Sequence, residues 1–184
     1  MKYQRIPEHI KLKHYQICKR ILPTRNLGYA THLPKLNKKQ ALTLREFLEG
    51  EMNLLLICGV TGTGKTCLGS SIVSTHILGS LKATEKPSVT YEFCYNFYLN
   101  MRNYKSLDFY EADKYFTSKL LVLDDFGASK LSEYQVEVIQ QIITERESEN
   151  KKTVIITNNN MPNLSKLLQD PLIRRINEGG ILEI

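Results

Sequence analysis

No stretch of the 184-residue chain approaches the roughly 20 consecutive apolar residues that a membrane-spanning helix needs, so no membrane partner is expected. The opening segment, MKYQRIPEHIKLKHY, is basic but lacks the apolar centre of a secretory signal peptide, and a cytoplasmic protein is the expectation. The cysteines Cys18, Cys58, Cys67 and Cys94 contain no C-x-x-C pair, which argues against a zinc knuckle or a disulfide framework and for reduced, partly buried thiols. His9 and His14 have no cysteine or carboxylate pair beside them and read as solvated side chains instead of metal ligands.

What remains is an ordinary globular composition, 42% hydrophobic and 24% charged, in a chain long enough for one α/β domain and a short arm but not for two full domains. The net charge of +6 is unevenly spread. Residues 1–50 hold eleven Lys and Arg against three Glu, whereas residues 51–184 are slightly acidic. The basic part forms an arm with a predicted helix over 9–20, its apolar contacts being Ile10, Tyr15, Ile17 and Leu22. A second predicted helix runs from Lys38 to Leu48, with Leu42, Leu44, Phe47 and Leu48 apolar. Such an arm can contact a partner or nucleic acid, or it can pack on the core as a solvated helix; the sequence leaves both open.

The richest stretch is NLLLICGVTGTGKTCLGS, residues 53–70. An apolar strand runs into a turn that matches G-x-x-x-x-G-K-[ST] at Gly59, Gly64, Lys65 and Thr66, and small residues suited to a helix start follow. Glycines at 59, 62 and 64 allow backbone N–H groups to turn inward onto a phosphate, and the helix dipole adds to their field. Thr61, Thr63 and Cys67 complete the phosphate-binding stretch. Lys65 would reach the β and γ phosphates of ATP, and the Thr66 hydroxyl would hold Mg²⁺.

Beyond Asn53 strands and helices alternate, which predicts a parallel sheet covered on both faces. The helix after the glycine-rich turn is expected to end near Leu78, with a second strand at 89–93. Residues 94–119 hold eight aromatics and fit two short helices, with Phe97, Leu99, Met101 and Leu107 as core. Tyr95, Tyr98, Arg102, Tyr104 and Lys105 can instead form a stacking surface for single-stranded nucleic acid. The apolar strand Leu120–Leu123 ends in Asp124-Asp125, which brings carboxylates to the sheet edge where the phosphate turn lies: Asp124 for Mg²⁺, Asp125 to polarise water. Ser132 and Gln135 make a capping box for a long helix to about Glu149. A strand over 153–157 ends at Asn158, which can position water or simply form a turn with Asn159 and Asn160; a short helix over 163–169 and a last strand over 181–184 complete the pattern. No N-K-x-D guanine-recognition motif is present, which argues against a GTPase, and no arginine-bearing lid suggests a small-molecule kinase.

Taken together, GVTGTGKT at 59–66, LLVLDDFG at 120–127, VIITNN at 154–159 and the RRINEGGILEI ending resemble the AAA+ ATPases of the DnaC and IstB type, the helicase loaders and transposition helpers. The resemblance implies a three-layer α/β P-loop fold of AAA+ type with a parallel sheet; no C-terminal lid domain is expected, which is a departure from the family's fuller pattern. It makes Asp124 and Asp125 the acidic pair, Asn158 the first sensor, and Arg175 an arginine finger that acts on a neighbouring subunit, with Arg174 as the fallback. A homo-oligomer or hetero-assembly follows, with a replicative helicase or other DNA-transaction protein and single-stranded DNA as partners. A transposition helper and a non-hydrolysing ATP-dependent adaptor are the other functions that this resemblance leaves open.

Overall fold

The computed structural model describes residues 6–29, 35–103 and 109–184. In chain order the elements are α1 (Glu8–Ile21), a 3₁₀ turn (Thr24–Tyr29), α2 (Lys38–Glu49), β1 (Leu54–Cys58), α3 (Lys65–Lys82), β2 (Val89–Phe93), α4 (Cys94–Asn103) and α5 (Phe109–Thr117). They continue with β3 (Leu120–Phe126), α6 (Glu133–Ser148), β4 (Lys152–Thr157), α7 (Met161–Leu167), α8 (Asp170–Glu178) and β5 (Gly180–Glu183). Tyr104, Lys105 and Leu107, assigned above to a stacking surface or the core, lie outside the described residues.

The five strands form one sheet in the order β2-β3-β4-β1-β5, and every neighbouring pair is parallel. Near-continuous apolar runs suit this arrangement because both faces are covered. Side-chain alternation sends Leu54, Leu56, Leu121, Leu123 and Ile155 to one face, beneath α4 to α8. It sends Leu55, Ile57, Val122, Val154 and Ile156 to the other, beneath α1 to α3. The result is the expected three-layer α/β sandwich.

The basic arm packs on the core. Cys18, Leu22, Leu44 and Phe47 share one apolar cluster with Leu68, Ile72 and Ile77 of α3. His14 is half-buried and not solvated: α1 lies on α3, so its Nε2 meets the Ser74 carbonyl oxygen at 3.1 Å. Tyr15 and Leu42, expected as apolar contacts, point outward and are exposed. Lys152, at the start of β4, donates to the carbonyls of Phe47, Gly50 and Met52 at 2.5, 3.0 and 3.1 Å. That ammonium satisfies otherwise free carbonyls where α2 ends and fixes the entry to β1.

Side-chain capping explains where α2, α6 and α7 begin. Ser132 and Gln135 form the expected capping box of α6, and Asn37 with Gln40 forms another at α2. Helix α7 begins earlier than the sequence pattern suggests because the Asn160 side chain accepts from the Asn163 N–H and Pro162 occupies the first turn. Helix α3 runs past Leu78 to Lys82. In α4 the residue assignment changes. Phe97, Tyr98 and Met101 are buried, whereas Tyr95, Leu99 and Arg102 occupy the outer face at helical spacing. Leu99 therefore leaves the predicted core, and Tyr98 leaves the predicted stacking surface.

Among the described residues, Arg146 is the largest fully buried side chain. Its guanidinium donates to Thr153 Oγ1 at 2.9 Å and to the carbonyls of Tyr115, Ser118 and Lys152 at 2.8, 2.9 and 2.7 Å. Burial lowers its pKa to about 10, which still leaves it charged at neutral pH. It thereby ties α5, α6 and the amino ends of β3 and β4 into one unit. Arg146→Ala leaves those acceptors without partners, so a loss of about 2–4 kcal/mol is expected. Thermal unfolding should register it as a fall of several degrees; an unchanged melting temperature would contradict this role.

Candidate nucleotide site

The loop between β1 and α3 follows from its glycines. At Gly59, φ is +142°, and a Cβ would meet the Ile184 carbonyl oxygen at 1.9 Å because the chain beyond β5 lies alongside, with Ile184 N donating to Cys58 O at 2.9 Å. Gly64, at φ +97°, is the N-cap of α3 and turns the chain into the helix. The Thr63 hydroxyl donates to Val60 O at 3.0 Å, so Gly59 and Thr63 shape the loop itself. Thr61, Gly62, Gly64, Lys65, Thr66 and Cys67 instead border a cleft of about 380 Å³. The Lys65 ammonium lies within the curve of the loop, donating to Val60 O at 2.6 Å. Its burial lowers the pKa, against the pull of Asp124 and Asp125 in the opposite direction.

The far wall of the cleft comes from Asp124 and Asp125 at the end of β3 and Asn158 after β4. Asp124 is 1% exposed, and both its oxygens are engaged. Oδ1 accepts the Asp125 N–H at 2.8 Å; Oδ2 accepts the Thr66 hydroxyl at 3.1 Å and the Tyr91 hydroxyl. Burial raises the Asp124 pKa, and these donors counteract part of that rise. Asp125 is exposed and takes φ of +59°, in the left-handed region that side chains with a Cβ seldom occupy. The β3–β4 register shifts between Leu123 and Phe126, so a bulge turns Asp125 out toward the cleft.

The three asparagines after β4 divide their roles. Asn160 caps α7, and Asn159 braces the turn, donating from Nδ2 to Gly127 O at 2.9 Å. Asn158 is exposed to the cleft. Arg175 lies elsewhere. Its guanidinium pairs with Glu147 and borders a small cavity with Asn53 and Leu54, at the amino end of β1. The glycine-rich loop leaves the carboxyl end of that strand, and five residues of strand span about 15 Å. Arg174 is more exposed, with Glu178 at 3.7 Å. A second and larger cavity, of about 800 Å³, borders Asp125 and is lined by Arg25, Phe93, Tyr95, Leu99 and Arg102.

Sequence reasoning missed Tyr91 and Asn26. Tyr91 is 7% exposed in the middle of a strand, where a hydroxyl needs a partner, so its position did carry a signal. Burial and the Asp124 charge push its pKa far up, which keeps it a donor. Asn26 stood in a loop sequence with nothing to mark it.

A glycine-rich loop between a buried strand and a helix, facing a carboxylate at the tip of another parallel strand, defines a P-loop nucleotide-binding protein. Within that class the chain belongs to the IstB-like ATP binding protein family, whose model matches residues 5–176. The chain is also 36% identical over 63 residues to the replicative helicase loader DnaC of Escherichia coli strain K12, a match over 34% of this chain and 26% of that protein. The match thus spans about a quarter of that curated relative's length. Among solved structures, the crystal structure of the DnaC helicase loader superposes with a TM-score of 0.71 at 26% identity, covering 88% of this chain and 99% of that one. A replication initiator DnaA bound to AMPPCP and single-stranded DNA shares the fold, with a TM-score of 0.66 at 22% identity over 83% of this chain and 47% of that one. The chain is an ATP-binding protein with the AAA+ fold of the DnaC and IstB group.

Burial acts on the ionised form of Asp124, so its cost is carried at neutral pH and fades as pH falls through the raised titration. Stability of the metal-free protein is therefore expected to fall as pH rises through the Asp124 titration, a pH dependence that Asp124→Asn should remove. Differential scanning calorimetry in EDTA across that pH range gives the comparison; a pH dependence that is unchanged in the variant would show that the Asp124 charge does not oppose folding.

Proposed function

We propose that this chain binds ATP with Mg²⁺, hydrolyses it slowly, and uses the cycle to change its hold on single-stranded DNA and on a replicative helicase or another DNA-transaction protein in the cytoplasm. One observation carries the reading. The Thr66 hydroxyl and the Asp124 carboxylate stand 3.1 Å apart across the cleft, joining the phosphate loop to the acidic strand tip. Two hard oxygens so placed suit Mg²⁺, which takes few protein ligands and completes its shell with phosphate and water. Bound there, Mg²⁺ would neutralise charge on the β and γ phosphates.

The residues then have separable tasks. The loop N–H groups and Lys65 hold the phosphates, and the helix dipole of α3 adds to their field. Asp125, turned out by the bulge, is positioned to accept a proton from the attacking water, with Asn158 beside it to orient that water. Arg175, one strand length from the loop of its own chain, can serve only the nucleotide of a neighbouring chain, so hydrolysis requires an assembly. In that assembly the finger must exchange Glu147 for phosphate.

For DNA, the outer face of α4 supports the reading in an altered form. Tyr95, Leu99 and Arg102, joined by Arg25 from the arm, offer stacking area and cationic groups around the larger cavity. A transposition helper remains the second reading, since the matching family is the IstB-like one. It differs in the protein partner and not in the chemistry.

Steady-state ATP hydrolysis with and without single-stranded DNA, with Lys65→Ala as the blank, tests the proposal. Stimulation by DNA that disappears in the variant is expected. Rates equal to the blank in both conditions would remove the DNA-stimulated ATPase and leave an ATP-dependent adaptor. Arg175→Ala should retain ATP binding while losing hydrolysis by about 10³-fold or more. Mixing it with Lys65→Ala should restore part of the rate, because one chain keeps an intact loop and the other an intact finger.

A further inference from the structure

Phosphate chemistry does not account for a buried polar chain that enters the site from the arm. Asn26, in the 3₁₀ turn, is 0% exposed and donates from Nδ2 to the Tyr91 hydroxyl oxygen at 3.1 Å. That hydroxyl in turn donates to Asp124 Oδ2. A hydrogen bond accepted by the tyrosine oxygen aims its single proton at the carboxylate. Phenylalanine would fill the same space at position 91 without a polar group to satisfy, so a hydroxyl there calls for a reason beyond packing.

The reason lies in what holds Asp124. If the Thr66 hydroxyl turns to Mg²⁺, the carboxylate keeps only the Asp125 N–H and the Tyr91 hydroxyl as its anchors. Mg²⁺ demands near-ideal octahedral geometry, so a carboxylate free to rotate is a poorer ligand than a fixed one. Asn26 belongs to the arm, where its backbone N–H donates to Pro23 O at 2.8 Å. Its turn follows α1, which rests on α3 through the His14 contact with Ser74. The arm, Tyr91 and Asp124 therefore form one continuous connection from the surface of the protein to the metal position.

We propose that Tyr91 and Asn26 are positioning residues for Asp124, through which the seating of the N-terminal arm sets the affinity of the site for Mg²⁺. The inference rests on the reading of Asp124 as the Mg²⁺-holding carboxylate. Tyr91 orients the carboxylate directly, and Asn26 acts only through Tyr91. Linkage makes the effect reciprocal: whatever displaces the arm weakens Mg²⁺ binding, and bound Mg²⁺ favours the docked arm.

The test is the Mg²⁺ dependence of fluorescent N-methylanthraniloyl-ATP binding to the full chain, with binding in EDTA as the metal-free control. Tyr91→Phe should raise the Mg²⁺ concentration needed for half-maximal binding by about tenfold, the scale of a lost outer-shell partner, and leave binding in EDTA unchanged. Asn26→Ala should give a smaller shift in the same direction and no additional shift in the Tyr91→Phe background. A shift that is equal in both backgrounds would overturn the relay, as would any loss that appears equally in EDTA, since that reports general damage. Asp124→Asn separates the two levels. If it abolishes the Mg²⁺ dependence while Tyr91→Phe does not move it, the metal reading stands and the relay falls; if it has no effect, both fall.

Discussion

The rest of the structure is arranged around one carboxylate held inside the protein. Asp124 is almost wholly buried at the tip of a central strand, where an unaccompanied negative charge would protonate or unfold its surroundings. Each group that makes the charge tolerable comes from a different part of the chain: Thr66 from the phosphate loop, the Asp125 N–H from the bulge, and Tyr91 from the neighbouring strand. Satisfying that carboxylate therefore also fixes the geometry in which phosphate and metal meet. The residue at the centre of the chemistry is also the one whose burial opposes folding.

A parallel sheet imposes a second constraint. All five strands run the same way, so every strand end that bears chemistry lies at one edge, and the segments that enter the strands lie at the other. Lys65, Thr66, Asp124, Asp125 and Asn158 meet at the first edge because each follows or ends a strand. Arg175 precedes β5 and therefore lies at the opposite edge, held by Glu147. No rearrangement of side chains can bring the two together within one chain. On the reading proposed here, dependence on a second subunit follows from strand direction.

The arm shows how local and tertiary effects interact. Its charge suggests an independent basic segment, yet Cys18, Leu22, Leu44 and Phe47 complete the apolar layer over α3, and Lys152 ties the end of α2 to the sheet. Packing on the helix that begins with the phosphate loop leaves Lys13, Lys19 and Arg20 of α1 exposed. It also places Asn26 within reach of Tyr91.

The sequence by itself determined the strands, most of the helices, the sheet type and most of the cleft, though not α8 or the 3₁₀ turn. A run such as Leu54–Ile57 that enters a glycine-rich turn reads as a strand covered on both faces, the G-x-x-x-x-G-K-T spacing marks a phosphate loop, and Ser132 with Gln135 marks a helix start, because each is a local pattern with a local cause. Asn158 was legible as the residue at which the strand ends, but tertiary structure decided the tasks of Asn159 and Asn160, since three identical side chains in a row differ only in what the fold sets beside them. It likewise decided that Tyr98 is buried and Leu99 exposed, because the rotation of α4 follows from how Phe97 and Met101 seat on the sheet. The Asn26–Tyr91–Asp124 chain was beyond sequence reasoning for the same reason. Its members are far apart along the chain, and hydrogen bonds between distant residues arise only when packing has brought them within about 3 Å.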